Sequence, residues 1–530
     1  MSHESGLQSL VDSYLDLWWH LDPVAATWAG APNHDHLLGR FGAEEMGEHL
    51  AALQALGNGL EELAVEDLDD EIDRTALLNM IRVAQHQFGE EEPHLHSPQF
   101  WVEHLVDGLG LLLHRSDRPA PDRAWAAAHR LDAVPEFLES AEQTLADCPS
   151  VFVHTAMDIL DHCDELITQL QVHLDPESVE GFEGACARAT EALRNFGNFL
   201  EGLEDSNSAS TFAIGEDAFD FRLSFQHALP DTAEHLWNYG SALVDEVRQE
   251  VADCAHRIDP TAPWPDTVDR LRAEHPAPHE IVEAYAAEME RSRVFIQENK
   301  LLHVPEGALD VVETPPYLRP LVPFAAYQPP GAFSDDQRGI FYVSPPDDHV
   351  DIGLYHCTHE IALTALHEGY PGHHLHFLSM HAQPRPLRRL MQTPLTCEGW
   401  ALYCEELMGE NDFYRTEEER LFQRLGLLWR ALRIVVDVGL HTRDLSIKDA
   451  VQLMVDNVRI DESSAMREVA RCCAMPTYNS CYALGRRELL ALRRDVQTIT
   501  GDDFSLCDFH RRVLGLGGMP IGLMRWSWGV

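Results

Sequence analysis

His367-Glu368-Gly369-Tyr370-Pro371-Gly372-His373-His374 is the stretch on which the reading of this 530-residue chain turns. The apolar run Ile361 to Leu366 leads into it, so it reads as the end of a buried helix. A His-Glu pair on a helix suggests the H-E-x-x-H arrangement. There, two histidines at i and i+4 share one face and bind zinc, and the glutamate acts as general base. Here position i+4 is Pro371, and the next histidines are His373 and His374, at i+6 and i+7. On an unbroken helix His374 regains the azimuth of His367 but lies about 10.5 Å further along the axis, while His373 points about 120° away. Two nitrogens bound to one zinc must sit within roughly 3.5 Å of each other, so neither histidine fits a regular helix. Proline removes a helical hydrogen bond and clashes with the preceding turn, and Gly372 adds freedom at the same place. A widened, π-like turn over Tyr370-Pro371-Gly372 is therefore expected to bring His373 beside His367, with His374 as the alternative.

A catalytic zinc takes three protein ligands and keeps one position for water. Downstream, TCEGWALYCEEL (396–407) reads as a helix, and Glu398 stands 25 residues after His373, a separation that suits a second helix packed antiparallel to the first. Glu398 is the expected third ligand, with Glu405, two turns on along the same face, in reserve. His356 and His359 are expected at the start of the motif helix as caps or as groups behind the ligands.

Outward from this core, residues 1–300 read as helix after helix. Apolar positions at helical spacing run from Leu7 to Trp28 and through 44–64, 68–88, 122–146, 151–173, 179–203 and 230–257. Between Leu301 and Pro346 the texture turns proline-rich, with Gly339–Val343 the best strand candidate and prolines confining other strands to edges. Residues 314–346 would then offer an edge that holds an extended peptide. Helical texture resumes near Thr358, and GLGGMPIG (515–522) is a loop. The expected fold is mainly α with a small β element before the motif helix. A helical region 1–300 precedes a catalytic region 301–530 in one continuous, two-lobed domain.

Charge narrows the partners. Against 39 basic residues stand 88 acidic ones, for a net charge of −49, the opposite of the basic footprint that nucleic acids or anionic membranes require. Lysine occurs only at Lys300 and Lys448. This acidic, lysine-poor pattern reads as halophile adaptation to molar salt, where a Debye length of about 3 Å blunts self-repulsion. An arginine-favouring, GC-rich genome is the alternative. Met1-Ser2-His3-Glu4-Ser5 lacks the pattern of a signal peptide, and eleven scattered cysteines without a C-x-x-C pair read as reduced thiols. A cytoplasmic location is expected.

HEGYPGHHLH (367–376) and EGWALYCEEL (398–407) resemble the signatures of the bacterial family filed as domain of unknown function 885. DPVAATWAG, VETPPYLRP, GIFYVSPP and VLGLGGMPIGLM carry the resemblance along the chain. That family is similar in fold to the helical zinc oligopeptidases and dipeptidyl carboxypeptidases of the thimet oligopeptidase and angiotensin-converting enzyme type. The resemblance implies a large helical zincin-like fold and a Zn2+ cofactor. Its H-E-x-G-H pattern, laid on Gly372-His373, implies His367, His373 and Glu398 as ligands and Glu368 as general base. It also implies a segment P-x-Q-x-x-x-Y-x-x-G, which here runs from Pro476 to Gly485. Tyr482 and Gly485 match, and Tyr478 stands in place of Gln. A tyrosine donating to the oxyanion is implied, with Tyr482 the candidate and Tyr478 second. Tyr478, His374 and Arg486 are expected to touch substrate, with Arg467 and Arg487 as further carboxylate anchors. The expected activity is zinc-dependent hydrolysis of small peptides. A non-peptide amide or ester hydrolase, or a binding protein without the chemistry, are the alternatives.

Overall fold

Proline and aspartate punctuation sets most helix starts. The single helix expected over Leu7–Trp28 is two, Gly6–Leu21 and Pro23–Ala29, because the Asp22 carboxylate accepts a hydrogen bond from the Ala25 backbone N–H at 2.8 Å and Pro23 opens a new first turn. The helix expected over 151–173 is likewise divided, into Ser150–Leu160 and Cys163–His173. Helices Ala43–Glu62, Leu68–His86, Ala120–Thr144, Phe182–Asp205 and Ala233–Ile258 occupy the other expected segments. The computed structural model describes residues 6–114, 117–174, 178–205, 211–319, 322, 324–344 and 356–530. Residues 1–5 and the Pro345-Pro346 end of the proline-rich stretch lie outside the described residues.

The chain divides into two compact units. The first comprises residues up to Phe212 together with Gly331–Asp336 and is built from helices around an aromatic cluster. Phe41 meets Trp101 edge-on at 5.7 Å, and Trp101 meets Phe137 at 5.0 Å. The second unit takes Ala213–Pro330 and Gln337–Val530. Residues 213–300, grouped by sequence with the N-terminal helices, belong here, because helix Ala233–Ile258 packs along the helix Glu417–Thr442.

In the second unit, α1 (Ile281–Glu298) precedes a three-stranded sheet of β1 (Ala308–Glu313), β2 (Ala325–Gln328) and β3 (Arg338–Val343). The order is β1-β3-β2, with β1 parallel and β2 antiparallel to β3. The edge strands β1 and β2 run out shortly before Pro315-Pro316 and at Pro329-Pro330, while the central strand, whose N–H groups serve both neighbours, is proline-free. Beneath it lies α2 (Thr358–Glu368), and Ile281, Tyr285, Met289, Phe341, Val343, Ile361 and Ala365 form one core between α1, β3 and α2. Then come α3 (His373–His381), α4 (Pro394–Glu410), α5 (Glu417–Thr442), α6 (Glu462–Ala474) and α7 (Cys481–Thr500).

All eleven cysteines are unpaired, and ten are buried. Among the described residues no helix is long and apolar enough to cross a membrane.

Candidate metal centre

The motif helix ends instead of bulging. The π-like turn expected over Tyr370–Gly372 is corrected: α2 stops at Glu368 and α3 starts at His373. Between them the chain folds back so tightly that Gly372 N–H donates to the Leu366 carbonyl at 2.9 Å. A Cβ on Gly372 would fall 1.8 Å from the His367 carbonyl oxygen, so no other residue fits. The Pro371 carbonyl at the turn accepts a 2.9 Å hydrogen bond from Trp400 Nε1, which ties the turn to α4. Two short helices meeting at a sharp corner thus do what one helix cannot. The His367 and His373 rings stand 4.9 Å apart and nearly perpendicular, at 86°.

On α4, Glu398 and Glu405 face this pair from two successive turns. Glu398 Oε2 lies 3.3 Å from His373 Nε2 and 3.9 Å from His367 Nε2. Glu405 Oε1 lies 2.7 Å from His367 Nδ1. The reserve ligand therefore sits on the far nitrogen of His367. A carboxylate at Nδ1 fixes the tautomer with its proton there and leaves the Nε2 lone pair directed at Glu398 and His373. Ligand atoms of His367, Glu368 and His373 all fall within 4.8 Å of one another. Burial alone would raise the Glu398 carboxyl, but His373 and His367 hold it well below its ordinary value. Burial works against charge on His367 as well, yet its bonds to Glu398 and Glu405 lift it to about 9. The donor set of two imidazoles and a carboxylate, buried and convergent, suits zinc, and His373 Nδ1 is a buried nitrogen with no protein partner.

The tyrosine segment closes the site. Tyr478 donates to Glu398 Oε1 at 2.7 Å, so it takes the carboxylate oxygen that the histidines leave free. The Tyr482 ring lies over that of His367, with centroids 6.5 Å apart and planes within 17°. The segment is held by buried Asp437 on α5, which accepts from the backbone N–H of Thr477 and Ser480, each at 3.2 Å, and from the Ser480 hydroxyl at 2.7 Å. The loop 515–520 has its own task. Its Gly518 and Met519 carbonyls accept from the hydroxyls of Thr393 and Thr396 at 3.1 and 2.6 Å, which anchors the start of α4.

Other expected residues fall elsewhere. His374 turns to the sheet, with Nδ1 2.9 Å from the Tyr327 hydroxyl of β2, and it is fully buried; it neither joins His367 nor offers a surface to substrate. Arg486 is engaged by Glu406 at 3.0 Å and Arg487 by Asp231, while Arg467 bonds Ser463 and Ser464 on the surface. His356 bridges the Ser344 carbonyl and the Tyr285 hydroxyl at 2.8 and 3.3 Å, and His359 meets Glu274 at 3.1 Å.

A mainly helical protein with a small mixed sheet, carrying a buried histidine–carboxylate centre at a broken helix, is the class that this fold and site define. The chain belongs to the family described as bacterial protein of unknown function (DUF885), whose profile matches residues 23–527. No curated protein matches it. Two solved structures share the fold. One, described as a "putative lipoprotein of unknown function" from Shewanella oneidensis, is 19% identical with a TM-score of 0.81, covering 98% of this chain and 99% of that one. The other, described as "the putative lipoprotein from Colwellia psychrerythraea", is 17% identical with a TM-score of 0.84, covering 98% of both chains.

Proposed function

We propose that the chain is a zinc-dependent hydrolase that cleaves peptide bonds of small peptides, with His367, His373 and Glu398 holding the metal. The observation that carries this reading is the convergence of two imidazoles and Glu398 at a helix break, with Glu368 beside them and Glu405 behind. When bound, zinc supplies a Lewis acid that polarises a carbonyl and acidifies water. Glu368 accepts the proton of the attacking water and passes it to the leaving amine. Tyr482 donates to the oxyanion as it develops, a preorganised dipole where charge appears. Tyr478 steadies Glu398. The edge strand β2, joined to the motif through Tyr327 and His374, presents backbone groups to an extended peptide, which favours peptides over other amides or esters. A cytoplasmic site of action belongs to the same proposal, and cell fractionation tests it.

The test is Glu368→Gln. The variant is expected to bind zinc in the wild-type ratio by elemental analysis and to lose peptide hydrolysis by about a hundredfold or more. Retained hydrolysis removes the base from this role, and a wild-type chain that takes up no zinc removes the reading altogether.

A further inference from the structure

Three arginines converge on the two tyrosines beside Glu398. Arg471 Cζ lies 4.6 Å from the centre of the Tyr478 ring, and Arg433 and Arg430 Cζ lie 4.5 and 5.9 Å from that of Tyr482. Trp429 extends the aromatic wall, 5.0 Å from Arg433 and 5.4 Å from Arg430. A guanidinium over an aromatic face is attractive, but three in one place repel one another unless anions offset them. In a chain with 88 acidic and 39 basic residues, anions are the commoner charge, yet few are used here. Arg433 is satisfied: it is buried and makes a two-point pair with Glu468, with Nη2 to Oε2 at 3.1 Å. Among the described residues, Arg430 and Arg471 form no ion pair. Arg430 donates one long bond, 3.4 Å, to the Gly426 carbonyl, and its buried Nε has no partner. Arg471 is exposed on the last turn of α6. Glu360 lies within electrostatic reach of Arg430, and Glu398 within reach of Arg471. Glu398 is the carboxylate assigned to the metal.

The arrangement fixes a separation. Tyr478 spans it, with its hydroxyl on Glu398 at one end and Arg471 over its ring at the other. An extended peptide advances about 3.3 Å per residue, so one tyrosine side chain corresponds to roughly one or two residues. We propose that Arg430 and Arg471 bind the C-terminal carboxylate of a peptide substrate, so that cleavage falls one or two residues from its free end. This rests on the hydrolase reading above and names the substrate class of that site. Paired guanidinium groups suit a carboxylate because their donors match its two oxygens.

The experiment uses the full chain freed of metal and isothermal titration with N-acetyl-alanyl-alanine and its C-terminal amide. The free acid is expected to bind about ten- to a hundredfold more tightly than the amide, the worth of one or two charge-assisted hydrogen bonds. Arg471→Gln and Arg430→Gln are each expected to erase most of that difference. Arg471 is exposed, so its variant keeps the fold even where the other does not. Equal binding of acid and amide, or a preference that survives both substitutions, overturns the proposal. So does N-acetyl-glutamyl-alaninamide binding as tightly as the free acid, because the cluster would then read an acidic side chain instead of the chain end. With zinc restored, hydrolysis of both acid and amide peptides at equal kcat/KM overturns the anchor alone. Hydrolysis of neither overturns the hydrolase reading and leaves the titration result standing.

Discussion

Gly399 on α4 and Gly485 on α7 face each other so closely that a Cβ on Gly399 would lie 2.4 Å from the Gly485 Cα. Glu398 precedes one of these glycines, and Tyr482 stands three residues before the other. The bare crossing is what lets the two helices approach until Tyr478 reaches Glu398. A Cβ on Gly485 would fall 2.0 Å from the Leu395 carbonyl oxygen, which is backbone and cannot step aside. Gly485→Ala is therefore expected to force the helices apart, costing about 1–3 kcal/mol or more. A lowered unfolding midpoint together with weakened zinc binding is the expected outcome. An unchanged zinc affinity would show that the crossing matters to stability alone.

The two glutamates of α4 separate cleanly by experiment. Glu405 sits on Nδ1 of His367, so Glu405→Gln leaves the ligand set intact but removes the carboxylate that fixes the tautomer. Zinc affinity, measured by competition with a chelating dye, is expected to fall about ten- to a hundredfold. Glu398→Ala removes a ligand and is expected to abolish stoichiometric binding. If the two variants behave alike, Glu405 is no mere orienting group.

How much of this was legible follows from what sequence spacing can encode. His367, Glu368, His373 and Glu398 come together because a helix face and a heptad offset are local geometry. The corner at Pro371-Gly372 was read as a bulge, since composition says that a helix must yield there but not that it ends. Only the contact of Gly372 with the His367 carbonyl decides it. The prolines flanking β1 and β2 announced edge strands, and β3, free of proline, proved central. Partners distant in sequence were beyond reach. Nothing local links Tyr327 to His374 or Glu406 to Arg486, and the second pairing takes Arg486 away from substrate. Arg430 and Arg471 were overlooked because they stand on different helices, and only packing brings them to the same tyrosines.

Tyr478→Phe deletes one hydroxyl and the 2.7 Å bond to Glu398. The buried carboxylate then loses a donor, which typically costs about 1–3 kcal/mol. Zinc affinity is expected to fall by roughly tenfold, with the thermal midpoint little changed. A fall in hydrolysis at unchanged affinity would instead place the Tyr478 hydroxyl on the substrate.

Asp437 gives a dependence on pH away from the metal. Burial pushes its carboxyl up to about 7, although Ser480 and Thr477 donate to it. In the unfolded chain the same group titrates near about 3.9. The folded value is the higher one, so the folded state binds the proton more tightly. The resulting stabilisation is complete below about pH 4, is lost as pH rises toward about 7, and changes no further above that. Asp437→Asn cannot titrate. The stability of wild type relative to this variant, from urea unfolding midpoints between pH 4 and 8, is therefore expected to fall by on the order of 3 kcal/mol across that window and then level. The variant should also be weaker at every pH in holding the Tyr478 segment, because an amide nitrogen cannot accept the bonds that one carboxylate oxygen now accepts. A difference that stays flat with pH would mean that Asp437 is ionised throughout, its charge carried by the donors of Ser480 and Thr477.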